Sequence, residues 1–383
     1  MRPHHPTRRT AIAICGAGPV GLALAAQCLA RGIAASQITL IDAKPVSTAG
    51  QDPRSIALSY GSVQLLQQLQ ATPASMTAIT QIHVSRRASF GRTLIRCNDY
   101  GLPALGYVCR YGSLVQSLNA ALIDCGIQSL RPATVSAIDE ADDSVHLQCA
   151  DGTTLTADIV VQAEGGVFGR QTIKTMHRDY QQSALVATVR SSGPIAGRAF
   201  ERFTDQGPLA LLPQDDGYAL VWCARPTVVA HLLALPNADF LLALQQAFGH
   251  RVGRFIATSP RHSYPLGLNA QPSLSRRTVA IGNAAQTLHP VAGQGLNLGL
   301  RDAVVLADAL AREVSPAMLT QFGATRRTDR GATLRLTDTM ARVFASSADG
   351  SLTQMLLGGA LALVDVAPPL KRALAGQMMF GWR

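Results

Sequence analysis

The chain has 383 residues, of which 47% are hydrophobic and 5% aromatic, with 33 glycines. That length predicts two domains or one large composite, and the composition excludes a fibrous or disordered chain. A formal charge of +10 fits a basic solvated surface, an anionic cofactor or an anionic membrane. Nucleic acid comes last, because no basic and aromatic module occurs.

The N-terminal ten residues are basic and polar. The apolar run at 11–15 stops at Gly16, so it predicts a buried strand and not a secretory signal. Gly16-Ala17-Gly18-Pro19-Val20-Gly21 follows, then a helix over 19–31 with Gly32 just beyond its end. Residues 37–41 form a second strand, ending at Asp42. A helix is predicted over 59–69, strands over 79–84 and 92–96, and an amphipathic helix over 114–125. Strands at 134–147 and 155–161 flank the Asp151-Gly152 turn. Residues 180–265 alternate strand-like runs, such as 184–189 and 219–223, with one clear helix at 238–248. A short strand at 277–281 feeds a second glycine-rich segment, and a helix covers 296–312. Arg326, Arg327 and Arg330 are spaced to share one side of a helix, predicting a solvated basic face.

Seven cysteines, an odd number without a C-x-x-C pair, predict a reducing compartment and no zinc ribbon. No apolar run reaches the roughly 18 residues that span a bilayer. The nearest, 355–364, ends at Asp365. No metal cluster, hydrolase triad or carboxylate pair is legible, and no residue is assigned as catalytic.

The first glycine segment divides its work. Gly16 permits the turn out of the strand, Gly18 lets backbone approach a pyrophosphate, and Gly21 lets helix pack on strand. Pro19 opens the helix, whose N-terminus offers free N–H groups to phosphates. Asp42 stands where a carboxylate accepts the ribose hydroxyls, which disfavours a 2′-phosphate. NAD and FAD remain. The second segment, Ala280-Ile281-Gly282-Asn283-Ala284-Ala285 continuing to Pro290-Val291-Ala292-Gly293-Gln294-Gly295-Leu296-Asn297, separates them. A simple NAD dehydrogenase has no use for another strand–glycine–helix element there, whereas an extended FAD needs a cradle at its flavin end. N–H groups near Gly293 and Gly295 can hold negative charge on the flavin.

The run from Gly282 to Asp302 resembles the second FAD motif of the ubiquinone-biosynthesis hydroxylases. These are class A flavin monooxygenases with the para-hydroxybenzoate hydroxylase fold. Asp52-Pro53-Arg54-Ser55-Ile56-Ala57-Leu58-Ser59, Arg198-Ala199-Phe200-Glu201-Arg202-Phe203, Gly207-Pro208-Leu209-Ala210 and Ser263-Tyr264-Pro265-Leu266 carry the same resemblance. In the middle of the chain it is closest to the 2-polyprenyl-6-methoxyphenol hydroxylases. Two positions depart from the common pattern: Asn283 replaces an Asp, and Glu164 replaces an Asp in a mid-chain motif linked to pyridine-nucleotide handling. Trp222 and Trp382 do not form the Trp-x-Trp of flavin halogenases.

The resemblance implies an α/β fold: a discontinuous Rossmann-like FAD domain (1–78, 104–180 and 268–335), an inserted mixed or antiparallel sheet domain for substrate (79–103 and 181–267) and a C-terminal helical segment (336–383). It implies FAD as cofactor and NAD(P)H as transient co-substrate. It also implies O2 activation as a flavin C4a-hydroperoxide, with oxygen transfer to a polyprenyl-methoxyphenol ring. Arg54 and Arg110 are the cationic candidates near FAD. Pro290 and Gly293, Gln294, Gly295, Leu296 and Asn297 are expected around the flavin ring, with His289 beside them as a structural histidine. The expected location is cytoplasmic, with peripheral contact at the inner face of the membrane through the basic surface and the apolar stretch 355–370. A homo-oligomer or a quinone-synthesis complex is the expected assembly. The alternatives are a related monooxygenase acting on another phenol, or an FAD-binding scaffold without activity.

Overall fold

A computed structural model of the protein describes residues 8–87, 92–164, 176–270, 275–287, 293–345, 372, 376–377 and 379–381. The first β-α-β unit sets the frame. Strand Arg8–Cys15 pairs in parallel with Ile38–Ile41 on one side and with Thr154–Gln162 on the other. Gln128–Leu130 extends the sheet beyond Ile38–Ile41. Thr154–Gln162 gives the first half of its far edge to the antiparallel strand Val145–Cys149, and the second half to Thr278–Ala280 in parallel. The residue-278 strand therefore joins the N-terminal sheet, and the nucleotide unit is assembled from distant parts of the chain. Ile12, Ile14, Leu22, Leu24 and Ile38 are fully buried here, together with Leu306 and Ala307 from the far end of the sequence.

The helices in chain order are α1 (Pro19–Ala30), α2 (Val46–Ala49), α3 (Tyr60–Gln68), α4 (Tyr111–Ala120), α5 (Pro226–Ala234), α6 (Asn237–Phe248), α7 (Gln294–Arg312) and α8 (Pro316–Ala345). Ser59 caps α3, its hydroxyl accepting the Ser62 N–H. A second, nine-stranded sheet holds the middle of the chain in the spatial order Gln286–Thr287, His262–Ala270, Met176–Ser191, Gly217–Ala224, Pro208–Gln214, Arg198–Phe203, Gln81–Arg86 and Arg92–Arg96, with Phe255–Thr258 also on Met176–Ser191. Its pairs are antiparallel except Gln81–Arg86 against Arg198–Phe203. α5 and α6 cover one face through Val229, Leu232, Phe240, Leu244 and Phe248. The other face turns toward the nucleotide unit. A three-stranded sheet (Ser55–Ser59, Gly106–Arg110 and Thr77–Ile79) stands between them.

Several expectations are corrected. The run 134–147 is two strands, Val135–Glu140 and Val145–Cys149, because the polar Asp142, Asp143 and Ser144 turn the chain. The run 79–84 is split at Thr80 between two sheets. α4 begins at Tyr111 and stops at Ala120, and the middle section has α5 as a second helix. Strands Met176–Ser191 and His262–Ala270 run through residues 180 and 267; between Asp179 and Gln182 the register shifts, with Gln181 at φ +52°. The basic face of α8 does not exist as expected. Arg326 is 4% exposed and pairs with Asp302 at 2.7 Å, and Arg330 pairs with the same carboxylate at 2.8 Å. Arg327 alone of the three is exposed. The 355–370 stretch, His289, Pro290 and Trp382 lie outside the described residues. Among the described residues no helix is long and apolar enough to cross a membrane.

Candidate active site

The N-terminal cradle is built by exclusion. Gly16 has φ +107°, and a Cβ there would stand 2.7 Å from the Ala163 carbonyl carbon. Its N–H donates to the Ile41 carbonyl at 2.7 Å. A Cβ on Gly21 would fall 1.9 Å from the Gly16 carbonyl oxygen, so only glycine lets α1 lie this close to the turn. Gly18 is the N-cap of α1 in extended conformation, with Pro19 in the first turn. Its missing side chain faces only the Tyr111 hydroxyl, 3.2 Å from the ideal Cβ. Bare backbone there, at the positive end of a helix, is what a pyrophosphate needs.

Asp42 accepts the Ala17 N–H at 2.6 Å on one oxygen and the Lys44 N–H at 2.7 Å on the other. It therefore pins the glycine turn, and each oxygen keeps a lone pair for a ribose hydroxyl. Glu164 follows directly after Ala163 against Gly16; burial, then the Asp42 charge, push its carboxyl above the usual range. The mid-chain substitution thus sits beside the first glycine turn.

The second segment packs on the first. Gly282, at φ +59°, would place a Cβ 3.2 Å from Val20, and one on Gly299 of α7 would be 2.7 Å from the same side chain. Gly293 is the N-cap of α7 at φ +60°. Asn297 is 2% exposed and spends its amide on protein: Nδ2 donates to the Gly293 and Ala57 carbonyls at 2.7 and 3.1 Å, and Oδ1 accepts the Ser59 N–H at 2.8 Å. Its side chain holds the loop in shape, while the backbone before it faces inward. Gln294 is buried beside it, against a small space of about 70 Å³.

Both segments open onto one cavity of about 560 Å³. Gly18 and Val20 reach it from the first, Asn283, Gly295 and Leu296 from the second, and Arg54 and Arg110 from the strands between. The far wall is the open face of the large sheet, including Ala184, Val186, Val221 and Leu266. Arg54 lies 4.9 Å from the Tyr111 ring and 5.7 Å from the Tyr264 ring, and salt-bridges Asp52 at 2.6 Å. The hydrogen bonds that Arg54 donates to Asp52 raise the Arg54 pKa against the pull of desolvation. Desolvation lifts Asp52, but hydrogen bonds from Arg54 outweigh it and leave that carboxyl below its usual range. Arg110 pairs with Asp215 at 2.9 Å. Tyr111, Tyr264, Asp52 and Asp215 were not foreseen as site residues. Arg110 stands opposite Ser55 in the three-stranded sheet, a pairing invisible in a linear chain.

Residues 269–334 match the FAD-binding domain of the FAD_binding_3 family. The chain is 32% identical to ubiquinone hydroxylase UbiL of Rhodospirillum rubrum, over 94% of this chain and 87% of that protein. It is 31% identical to 3-demethoxyubiquinol 3-hydroxylase of Escherichia coli, over 79% of each. This chain belongs to the FAD-dependent ubiquinone-biosynthesis hydroxylases. The fold of this hydroxylase is shared with p-nitrophenol 4-monooxygenase of Pseudomonas putida, at a TM-score of 0.76 with 15% identity over 98% of this chain and 100% of that one. HpxO of Klebsiella pneumoniae, solved with FAD, superposes at a TM-score of 0.74 with 14% identity over 97% and 99% of the two chains. The hydroxylase is an FAD-dependent monooxygenase, with NAD(P)H as co-substrate as in its family.

Proposed function

We propose that this hydroxylase adds one oxygen atom to the ring of a prenylated methoxyphenol precursor of ubiquinone. The observation that carries the reading is the single cavity shared by both glycine segments and an apolar sheet face. FAD, when bound, supplies the redox chemistry, taking electrons from NAD(P)H and activating O2. The chain supplies position and dryness. Gly16, Gly18, Pro19 and Gly21 with the start of α1 hold the pyrophosphate, and Asp42 the ribose. Gly282, Asn283, Gly293, Gln294, Gly295, Leu296 and Asn297 form the flavin cradle, the last four being the first turn of α7. Arg54, fixed between two tyrosines, and Arg110 offer positive charge at the cavity wall. Ala184, Val186, Val221 and Leu266 exclude water from the reacting ring.

The two large sheets support a division into a discontinuous FAD domain and an inserted substrate domain. The +10 charge supports contact with an anionic membrane that stores so apolar a substrate. The test is direct. Purified protein should be yellow, should consume NAD(P)H and O2 with a prenylated methoxyphenol, and should release a ring carrying one more oxygen. Gly18→Asp should lose the flavin absorbance at 450 nm, since a carboxylate would stand where the phosphates bind. Colourless protein that cannot take up FAD, or a product without added oxygen, overturns the reading.

A further inference from the structure

Strand Arg198–Phe203 carries an acid that the cofactor site does not use. Along this strand Phe200 packs edge-on against Phe248 and belongs to the helix-covered side. Ala199 packs with Ile79 and Val108 on the opposite side. Alternation therefore sets Glu201 with Ala199, on the face turned to the cavity. Register extends the point across the sheet. Glu201 stands opposite Ala210, Ala210 opposite Val221, Val221 opposite Val186, and Val186 opposite His262. The last three of this transverse row line the cavity. Only the methyl of Ala210 separates Glu201 from Val221, two strand spacings or roughly 10 Å away.

Among the described residues no hydrogen bond or ion pair reaches the Glu201 carboxyl. It is surrounded by protein yet keeps some accessible surface. The ionisable groups on this face are few. Cys223 is deeply buried, and its thiol is pushed well up by burial and then by Glu201. Arg86 stands in register with Phe203, while Tyr264, His262 and Arg54 lie at the cavity.

We propose that Glu201 is the proton acceptor for the hydroxyl of the bound phenol, an assignment that rests on the reading of the chain as a phenol hydroxylase. The phenol O–H bond breaks, its proton passes to the carboxylate, and the electron pair stays on oxygen, which makes the ring more nucleophilic toward the incoming oxygen atom. The proton returns to oxygen when the product forms, so the acid is unchanged over a cycle. Burial raises the carboxyl to about 7, close to the working pH at which a general base is most effective.

The experiment compares holoenzyme with Glu201→Gln and Glu201→Asp. Wild-type kcat/KM for a prenylated methoxyphenol should rise with pH to a plateau above about 7. Glu201→Gln should lower the plateau by about 100-fold, abolish the rise, and leave bound phenol neutral at pH 8 by its ultraviolet spectrum, while wild type shows a phenolate band. Glu201→Asp, which keeps the acid but withdraws it by one methylene, should retain the rise at a rate lowered by about 10-fold or more, with unchanged flavin content; it carries the test if Glu201→Gln does not fold. A Gln variant with a wild-type pH limb and phenolate band, or an Asp variant at full rate, overturns the assignment while the hydroxylase reading stands. Wild type without turnover overturns both.

Discussion

Gly21 is set by one carbonyl. The 1.9 Å gap between its ideal Cβ and the Gly16 oxygen cannot be relieved by a side-chain rotation, because both partners are backbone. Gly21→Ala must push α1 off the strand, at about 3 kcal/mol, the upper part of the range for overpacking. The expected outcome is a lower urea midpoint and a purified protein with most of its FAD lost, measured by absorbance at 450 nm. At this scale the sequence was informative for the glycines, because each has a steric reason fixed by local geometry. It was less informative for polar side chains. Asn297 fell on the expected loop, but its contacts to Ala57 and Ser59 come from strands more than 230 residues away in the chain.

Between elements, the strongest polar link joins α7 to α8. Asp302 is fully buried and is shared by Arg326 and Arg330, while Asp329 takes Arg301 at 3.1 Å. Asp302→Ala should destabilise the protein by about 3–5 kcal/mol, because it leaves the largely buried Arg330 guanidinium without its carboxylate and Arg326 with Asp329 alone. Chemical denaturation checks this, and Asp302→Asn should recover part of the loss through hydrogen bonds. Spacing alone gave these arginines to solvent. A three- and four-residue repeat places side chains on one side of a helix but does not say which side meets a partner, and the partner here lies in another helix. The strands, by contrast, were mostly legible, since continuous apolar runs such as Ala11 to Cys15 have few places to go but a buried sheet. The split at Thr80 was not, because one unbroken run serves two sheets.

For the molecule as a whole, the +10 charge falls partly on groups that folding must accommodate. His83 is 7% exposed and packs against Phe200 at 5.6 Å. Burial, then the charges of Arg251, Arg198 and Arg92, lower its pKa from 6.5 to about 4. The unfolded chain therefore binds the extra proton first as pH falls. His83 costs no stability above 6.5, and stability declines as pH drops from 6.5 toward 4. His83→Phe keeps the ring contact and removes the proton site. Its urea midpoint should change less between pH 7 and pH 4.5 than that of the wild type, and an equal change would show that other groups set the acid limit. The discontinuous FAD unit was readable only because two separated glycine segments made sense together; the wall that faces them came from register, which no linear pattern supplies.

The cradle that closes around Val20 needs Gly282 and Gly299 as neighbours. During translation at about 5–20 residues per second, the first glycine turn emerges roughly 15–60 s before its counterpart. A chain interrupted before α7 carries half a cradle and no flavin end. Retained yellow colour is therefore a mark of completed synthesis, and the apo interval is the time when a nascent chain of this enzyme most needs a chaperone.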